Sequence, residues 1–146
     1  MFSISPFFNF YLLVIVDLII MDVEELLQRY AAGERDFSGV NLIGVNLSGL
    51  DLSKINLTNA NLSESNLVGI NLRRANLRGV NLYGSGLLDA DLTEADLRDT
   101  ILENTQLRGA NLRGAIVNGA IQDAILEDTI MSDGQIVTCY PWEMPQ

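Results

Sequence analysis

The side chains that could do chemistry are mostly carboxylates. One acidic cluster comprises Asp89, Asp91, Glu94, Asp96 and Asp99. Grouped carboxylates can hold a hard cation, but the even spacing of this group is more typical of a solvated, ion-paired face. The chain has no His and one Cys, Cys139, which excludes His-based dyads, intramolecular disulfides and Cys/His zinc sites. Ser85 has no plausible base nearby in sequence, and we therefore expect no catalytic residue, metal or cofactor.

A leucine recurs at every fifth position from Leu42 to Leu112, with Phe37 before this run and Val117 after it. In an α-helix this spacing would scatter the leucines around the axis. In a straight strand it would send successive leucines to opposite faces. The chain must therefore change direction about every five residues, so that each central leucine points inward.

The positions around each central leucine are also restricted. The residue two before the centre is small or apolar, which predicts a second inward position. The residue directly before it is Asn or Asp at eleven of the twelve positions from 41 to 96, and these side chains support turns. Nine of the twelve glycines lie two residues after a centre, from Gly39 to Gly119, where Gly tolerates a tight backbone.

These features resemble the pentapeptide-repeat family, whose motif is A(N/D)LXX. Near-ideal copies are ANLSE at 60–64, ANLRG at 75–79 and 110–114, ADLTE at 90–94 and ADLRD at 95–99. The resemblance implies an all-β fold, a right-handed quadrilateral β-helix in which four pentapeptides form a coil. It also implies about four coils around a filled core without a pocket. The register breaks near AIQDA, and we predict an irregular corner at 121–124 before a last partial coil centred on Leu126 and Met131.

The segment before the repeat predicts an amphipathic helix. Asp22 is a good N-cap, Glu25 would complete a capping box, and Gly33 is a natural stop. The apolar stripe contains Val23, Leu26, Leu27 and Tyr30. Because a solenoid exposes its core at each end, we expect this helix to cap the repeat. A partner-binding helix is the alternative.

The chain divides into four segments. We predict a hydrophobic extension at 1–20, the capping helix at 21–34, the repeat at 35–133, and a C-terminal cap at 134–146 in which Tyr140 and Trp142 fold over the last coil. Residues 1–20 are an extension upstream of a working start at Met21, a membrane anchor or poor signal, or a packed strand. An apolar stretch interrupted by Asp17 is short for a membrane span.

Two outward-facing groups could bind a partner. With twenty residues a coil, six bases fall on two adjacent sides, which we call the basic double face: Lys54, Arg73, Arg74, Arg78, Arg98 and Arg113. They form either an ion-pair ladder with the acidic cluster or a surface for an acidic partner. The opposite two sides carry an apolar patch that comprises Ile43, Val68, Tyr83 and Leu88.

These observations favour a non-enzymatic structural or protein-interaction module. A net charge of −10 without a basic run argues against direct nucleic-acid binding. We expect protein partners or a homodimer, and a cytoplasmic location unless residues 1–20 anchor or export the chain. The resemblance implies an alternative, since some family members mimic DNA on gyrase, but the leucine centres and basic double face depart from those members. A membrane-tethered or lumenal structural protein is the other alternative.

Overall fold

The structure is a computed structural model and describes residues 20–137. One α-helix, α1 (Val23–Ala31), precedes the repeat, and a 3-10 helix (Gly119–Asp123) interrupts it near its end. Two short strands follow, β1 (Thr129–Ile130) and β2 (Ile136–Val137), which pair antiparallel. Predictions for residues 1–19, and for Tyr140 and Trp142, lie outside the described residues.

Parallel bridges between residues twenty apart hold the repeat together. They begin with Asp36 and Asn56 and continue to Asp96 and Ile116. A turn follows each bridging residue, so that every coil has four sides of five residues. The change of direction every five residues that the leucine spacing predicted is present, and the parallel bridges agree with the β-helix that the family resemblance implied.

The central side chains fill the axis of this solenoid. Phe37 and every central leucine from Leu42 to Leu112 have at most 2% of their surface exposed. The second inward position is also buried from Ile55 to Ala115, whereas Val40, Val45 and Leu50 near α1 are half-buried. Burial of these apolar side chains is the main source of stability in such a fold.

Most corners of the coil have the same hydrogen bond. At thirteen corners the Asn or Asp before the central residue accepts, through Oδ1, the backbone N–H two residues ahead at 2.9–3.2 Å. The residue two after each centre from 39 to 114 has a positive φ, in eight glycines and eight other residues. Gly119 is different: it begins the 3-10 helix without a positive φ, so the sequence-based prediction of a corner role for it is wrong.

The helix α1 packs against the first coil. Asp22 accepts the Glu24 N–H at 3.3 Å, as an N-cap should. The predicted capping box is wrong, because the Glu25 carboxylate pairs with Arg29 at 3.2 Å. Leu26 is fully buried in the common core. The Tyr30 hydroxyl donates to the Ser53 carbonyl at 2.9 Å, which ties the helix to the repeat.

The predicted register break is confirmed. Bridges from Gln106 to Ile125 and from Asn111 to Ile130 join residues nineteen apart, so the last partial coil is one residue short. The irregular segment is the 3-10 helix Gly119–Asp123, which begins two residues earlier than the predicted 121–124. After this segment, the chain forms β1, reverses direction and pairs antiparallel as β2.

Candidate interaction surface

The basic double face lies on the outside of the coil, as its register requires. Lys54, Arg73, Arg74, Arg78 and Arg113 are exposed, and Arg98 is half-buried. Each follows a central leucine by one or two positions and therefore sits at or beside a corner. The structure brings these bases together with the acidic cluster rather than leaving them as a free positive surface.

Four of the six bases make ion pairs, most of which connect neighbouring coils. Arg73 Nη1 lies 3.8 Å from Asp91 Oδ2, and Arg78 Nη2 lies 3.5 Å from Asp99 Oδ2. The Arg74 guanidinium donates to the Glu94 carboxylate one coil further along. Arg98 binds Asp96, two residues before it in sequence. Exposed pairs of this kind contribute at most about 1 kcal/mol each.

The ion pairs shift the acidity of their carboxylates. The hydrogen bond from Arg74 lowers the pKa of Glu94, and the hydrogen bond from Arg98 lowers the pKa of Asp96. Both groups therefore stay ionised to lower pH than in the unfolded chain. Among residues 20–137, no three His, Cys, Asp or Glu side chains form an arrangement able to hold a metal ion.

Two bases of the double face remain outside this ladder. Lys54 and Arg113 have no carboxylate within ion-pair distance among the described residues. Lys54 lies near the α1 end of its side and Arg113 near the other end. The double face is thus an ion-paired surface with a spare positive charge toward each end.

The apolar patch is exposed at three of its four predicted residues. Ile43, Val68 and Tyr83 have 39%, 39% and 40% of their surface exposed. Leu88, which the register predicts to be exposed, is instead half-buried. Ser63 lies one coil from both Ile43 and Tyr83 and is buried at 7% exposure. Ile43 and Tyr83 therefore lie two coils apart on one side, with Ser63 between them, and Val68 lies on the adjoining side.

Within residues 35–133, two large exposed apolar residues were not predicted from the sequence. Ile101 and Ile116 are 48% and 50% exposed. Both occupy the corner position that is Asn or Asp in most of the repeat. The loss of that polar residue in the last coil was a signal that could have identified them.

A shallow polar cavity of about 330 Å³ lies beside the basic double face. Its lining residues are Thr58, Asn59, Asn76, Arg78, Gly79 and Asp99. The Arg78–Asp99 pair lies within this lining, and the cavity holds no nucleophile with an adjacent base. It can contribute hydrogen bonds to a partner surface, but it does not form an enclosed pocket.

Within residues 20–137, none of the helices has the length and hydropathy needed to cross a bilayer. A filled solenoid with an ion-paired face, an apolar patch and a shallow polar cavity is typical of a structural or interaction class of protein.

The comparisons with known proteins agree with this class. A sequence profile described as a pentapeptide repeat region matches residues 35–112. This chain belongs to the pentapeptide repeat family. Members of the family are generally non-enzymatic structural or interaction proteins. No curated protein matches the chain.

Several solved structures are similar to this chain. A pentapeptide repeat protein from the thylakoid lumen of Arabidopsis thaliana is 28% identical, with a TM-score of 0.53, over 61% of this chain and 59% of that protein. A pentapeptide repeat protein from Nostoc PCC 7120 is 42% identical, with a TM-score of 0.38, over 69% of this chain and 79% of that protein. The fluoroquinolone resistance protein QnrB1 is 17% identical, with a TM-score of 0.36, over 67% and 58%. The chain spans about three-fifths of the Arabidopsis protein.

Proposed function

We propose that this protein is a non-enzymatic interaction module that presents partner-binding side chains on a rigid solenoid. The main support for this proposal is that the interior is completely filled while some apolar side chains stay exposed outside. Central side chains from Phe37 to Leu112 fill the axis, while Ile43, Val68 and Tyr83 stay exposed on adjoining sides. An apolar group of this kind on a surface rich in polar residues is typical of a protein-binding site.

The scaffold that we propose has about four right-handed coils, with α1 as the cap at one end. The burial of Leu26 in the common core supports this cap, because its apolar stripe covers the first coil. We propose the matching domain limits: an extension at 1–20, a cap at 21–34, the repeat at 35–133 and a terminal segment at 134–146.

The apolar patch is the better supported of the two surfaces. Four of the six bases of the basic double face are already bound to carboxylates of the same chain. A partner would have to displace those ion pairs, whereas Ile43, Val68 and Tyr83 need only lose water. We propose that the patch binds a protein partner or a second copy of the chain, and that Lys54 and Arg113 contribute secondary contacts.

An affinity capture with three matched baits tests the proposal. The baits are the full chain, a patch variant with Ile43, Val68 and Tyr83 changed to Ser, and a charge variant with Lys54 and Arg113 changed to Glu. All substituted positions are outward-facing, so circular dichroism should show that the three baits fold alike. We expect a partner, or self-association in sedimentation, that is lost in the patch variant and only weakened in the charge variant. Equal binding by all three baits would contradict the proposal.

A second candidate function is a lumenal structural protein. The similarity to the thylakoid lumen protein, at 28% identity and a TM-score of 0.53, favours it. Residues 1–20 would then anchor or export the chain, in place of the cytoplasmic location expected from the sequence. Fractionation of source cells with an antibody against the repeat distinguishes the two locations. The likeness to QnrB1 is a likeness of fold and gives no support to gyrase mimicry.

A further inference from the structure

Asn118 differs chemically from the other asparagines of the described chain. It is exposed, and the residue after it is Gly119, which makes it the one Asn-Gly pair in the sequence. An Asn side chain can be attacked by the backbone nitrogen of the next residue. That attack is fastest when the next residue is Gly, because Gly has no side chain to obstruct the ring that forms.

The repeat protects its other asparagines by occupying that backbone nitrogen. The Leu after Asn41 donates its N–H to Asn61 O at 2.7 Å, and the Leu after Asn111 donates to Ile130 O at 2.8 Å. Asn59 and Asn104, at corners, are also followed by residues with bonded N–H groups. The Gly119 N–H, in contrast, has no acceptor within residues 20–137. Among the described residues, this backbone nitrogen is therefore the one after an Asn that no hydrogen bond holds.

The location of Asn118 gives this chemistry a structural consequence. Asn118 is the N-cap position of the 3-10 helix Gly119–Asp123, where the twenty-residue register changes to nineteen. Its Nδ2 donates to Asp99 Oδ1 at 3.1 Å, across to the preceding coil. A carboxylate in place of that amide would face the Asp99 carboxylate at hydrogen-bond distance without an N–H to donate, and the two negative groups would repel each other.

We propose that Asn118-Gly119 is a site of spontaneous deamidation that weakens the end of the solenoid. The Gly119 nitrogen loses its proton to water and forms a bond to Asn118 Cγ. The Cγ–Nδ2 bond breaks, and ammonia leaves with a proton supplied by water. Water then opens the succinimide ring to Asp or isoaspartate, so the net reaction consumes one water and releases one ammonia.

The test is an incubation of the full chain in warm, mildly alkaline buffer made with isotopically labelled water. Peptide mapping by mass spectrometry reports label incorporation at each asparagine. We expect Asn118 to convert severalfold faster than Asn111, which provides an internal control on the same coil. The matched variant is Gly119→Ala: an added Cβ meets nothing within 4 Å and the φ is ordinary, so the fold should persist while conversion slows. Equal conversion in that variant, or a stable Asn118 beside a reactive Asn111, would overturn the proposal.

The structural consequence has its own readout. The variant Asn118→Asp reproduces one product, and we expect it to lower the thermal midpoint and to increase hydrogen exchange after residue 105. Adding Asp99→Asn to that variant restores an amide–carboxylate pair, with donor and acceptor exchanged, and should recover the midpoint. A thermal midpoint of Asn118→Asp equal to that of the wild type would show that the contact with Asp99 does not stabilise the segment where the register changes.

Discussion

Arg98 binds the Asp96 carboxylate through three hydrogen bonds. Oδ1 accepts the Arg98 backbone N–H at 3.2 Å and Nε at 2.9 Å, and Oδ2 accepts Nη2 at 2.6 Å. The carboxylate thus forms the corner of the coil and an ion pair at the same time. Asp96 also bridges to the coils on both sides, so this corner connects three coils.

Acid should weaken the fold through Asp96 and Glu94. Hydrogen bonds from arginines lower the pKa of both groups in the folded protein. Their stabilisation is therefore fully present above the unfolded values of about 4 and is lost as pH falls through the lower folded values. Urea unfolding should give a smaller free energy of unfolding in acid than at neutral pH.

The variant Asp96→Asn isolates one contribution to that loss. It keeps an oxygen acceptor for the corner but removes the charge, so its free energy of unfolding should depend less on pH than that of the wild type. Glu103→Gln is the control, because Glu103 is exposed and has no ion pair among the described contacts. An unchanged pH dependence in Asp96→Asn would contradict the assignment.

Gly44→Ala should destabilise the protein by backbone strain alone. Gly44 has a φ of +69°, and an added Cβ would meet nothing within 4 Å. The left-handed backbone costs an L-residue about 1 kcal/mol or more. Restriction of the unfolded chain offsets part of this. Gly119→Ala, with an ordinary φ, should change the free energy of unfolding by less than about 0.5 kcal/mol. Equal effects in denaturant titrations would contradict the strain argument.

The five-residue period predicted the repeated change of direction and the inward leucines, because it constrains every coil in the same way, whereas the resemblance to the family implied the β-helix. One inward leucine and one Asn or Asp at each corner leave few alternatives, and the buried Leu77 and the Asn76 corner bond follow directly. The pairing of Arg78 with Asp99 depends on side-chain rotamers across coils, which the period does not encode. The period likewise does not encode the 3-10 helix, which forms where the coil is one residue short.

Leu77→Ala should cost about 2–5 kcal/mol of unfolding free energy, the range for a fully buried leucine. Leu77 is 0% exposed in the middle of the repeat, so neighbouring coils cannot close the cavity without losing their bridges. Val68→Ala is the surface control and should change stability by less than about 0.5 kcal/mol. Chemical denaturation monitored by circular dichroism compares them, and a small effect at Leu77 would show that the core tolerates voids.

Ser85→Ala should be more costly than Ser65→Ala, although both remove a buried hydroxyl from the same repeat position. Ser85 Oγ donates to Leu62 O at 2.6 Å, and Leu62 O has no other donor within residues 20–137. Ser65 Oγ donates to Leu42 O at 2.9 Å, but that carbonyl also accepts the Val45 N–H at 3.4 Å. An orphaned buried carbonyl costs about 1–3 kcal/mol. Urea titrations of the two variants should differ by an amount in that range, whereas equal losses would mean that the second donor contributes nothing.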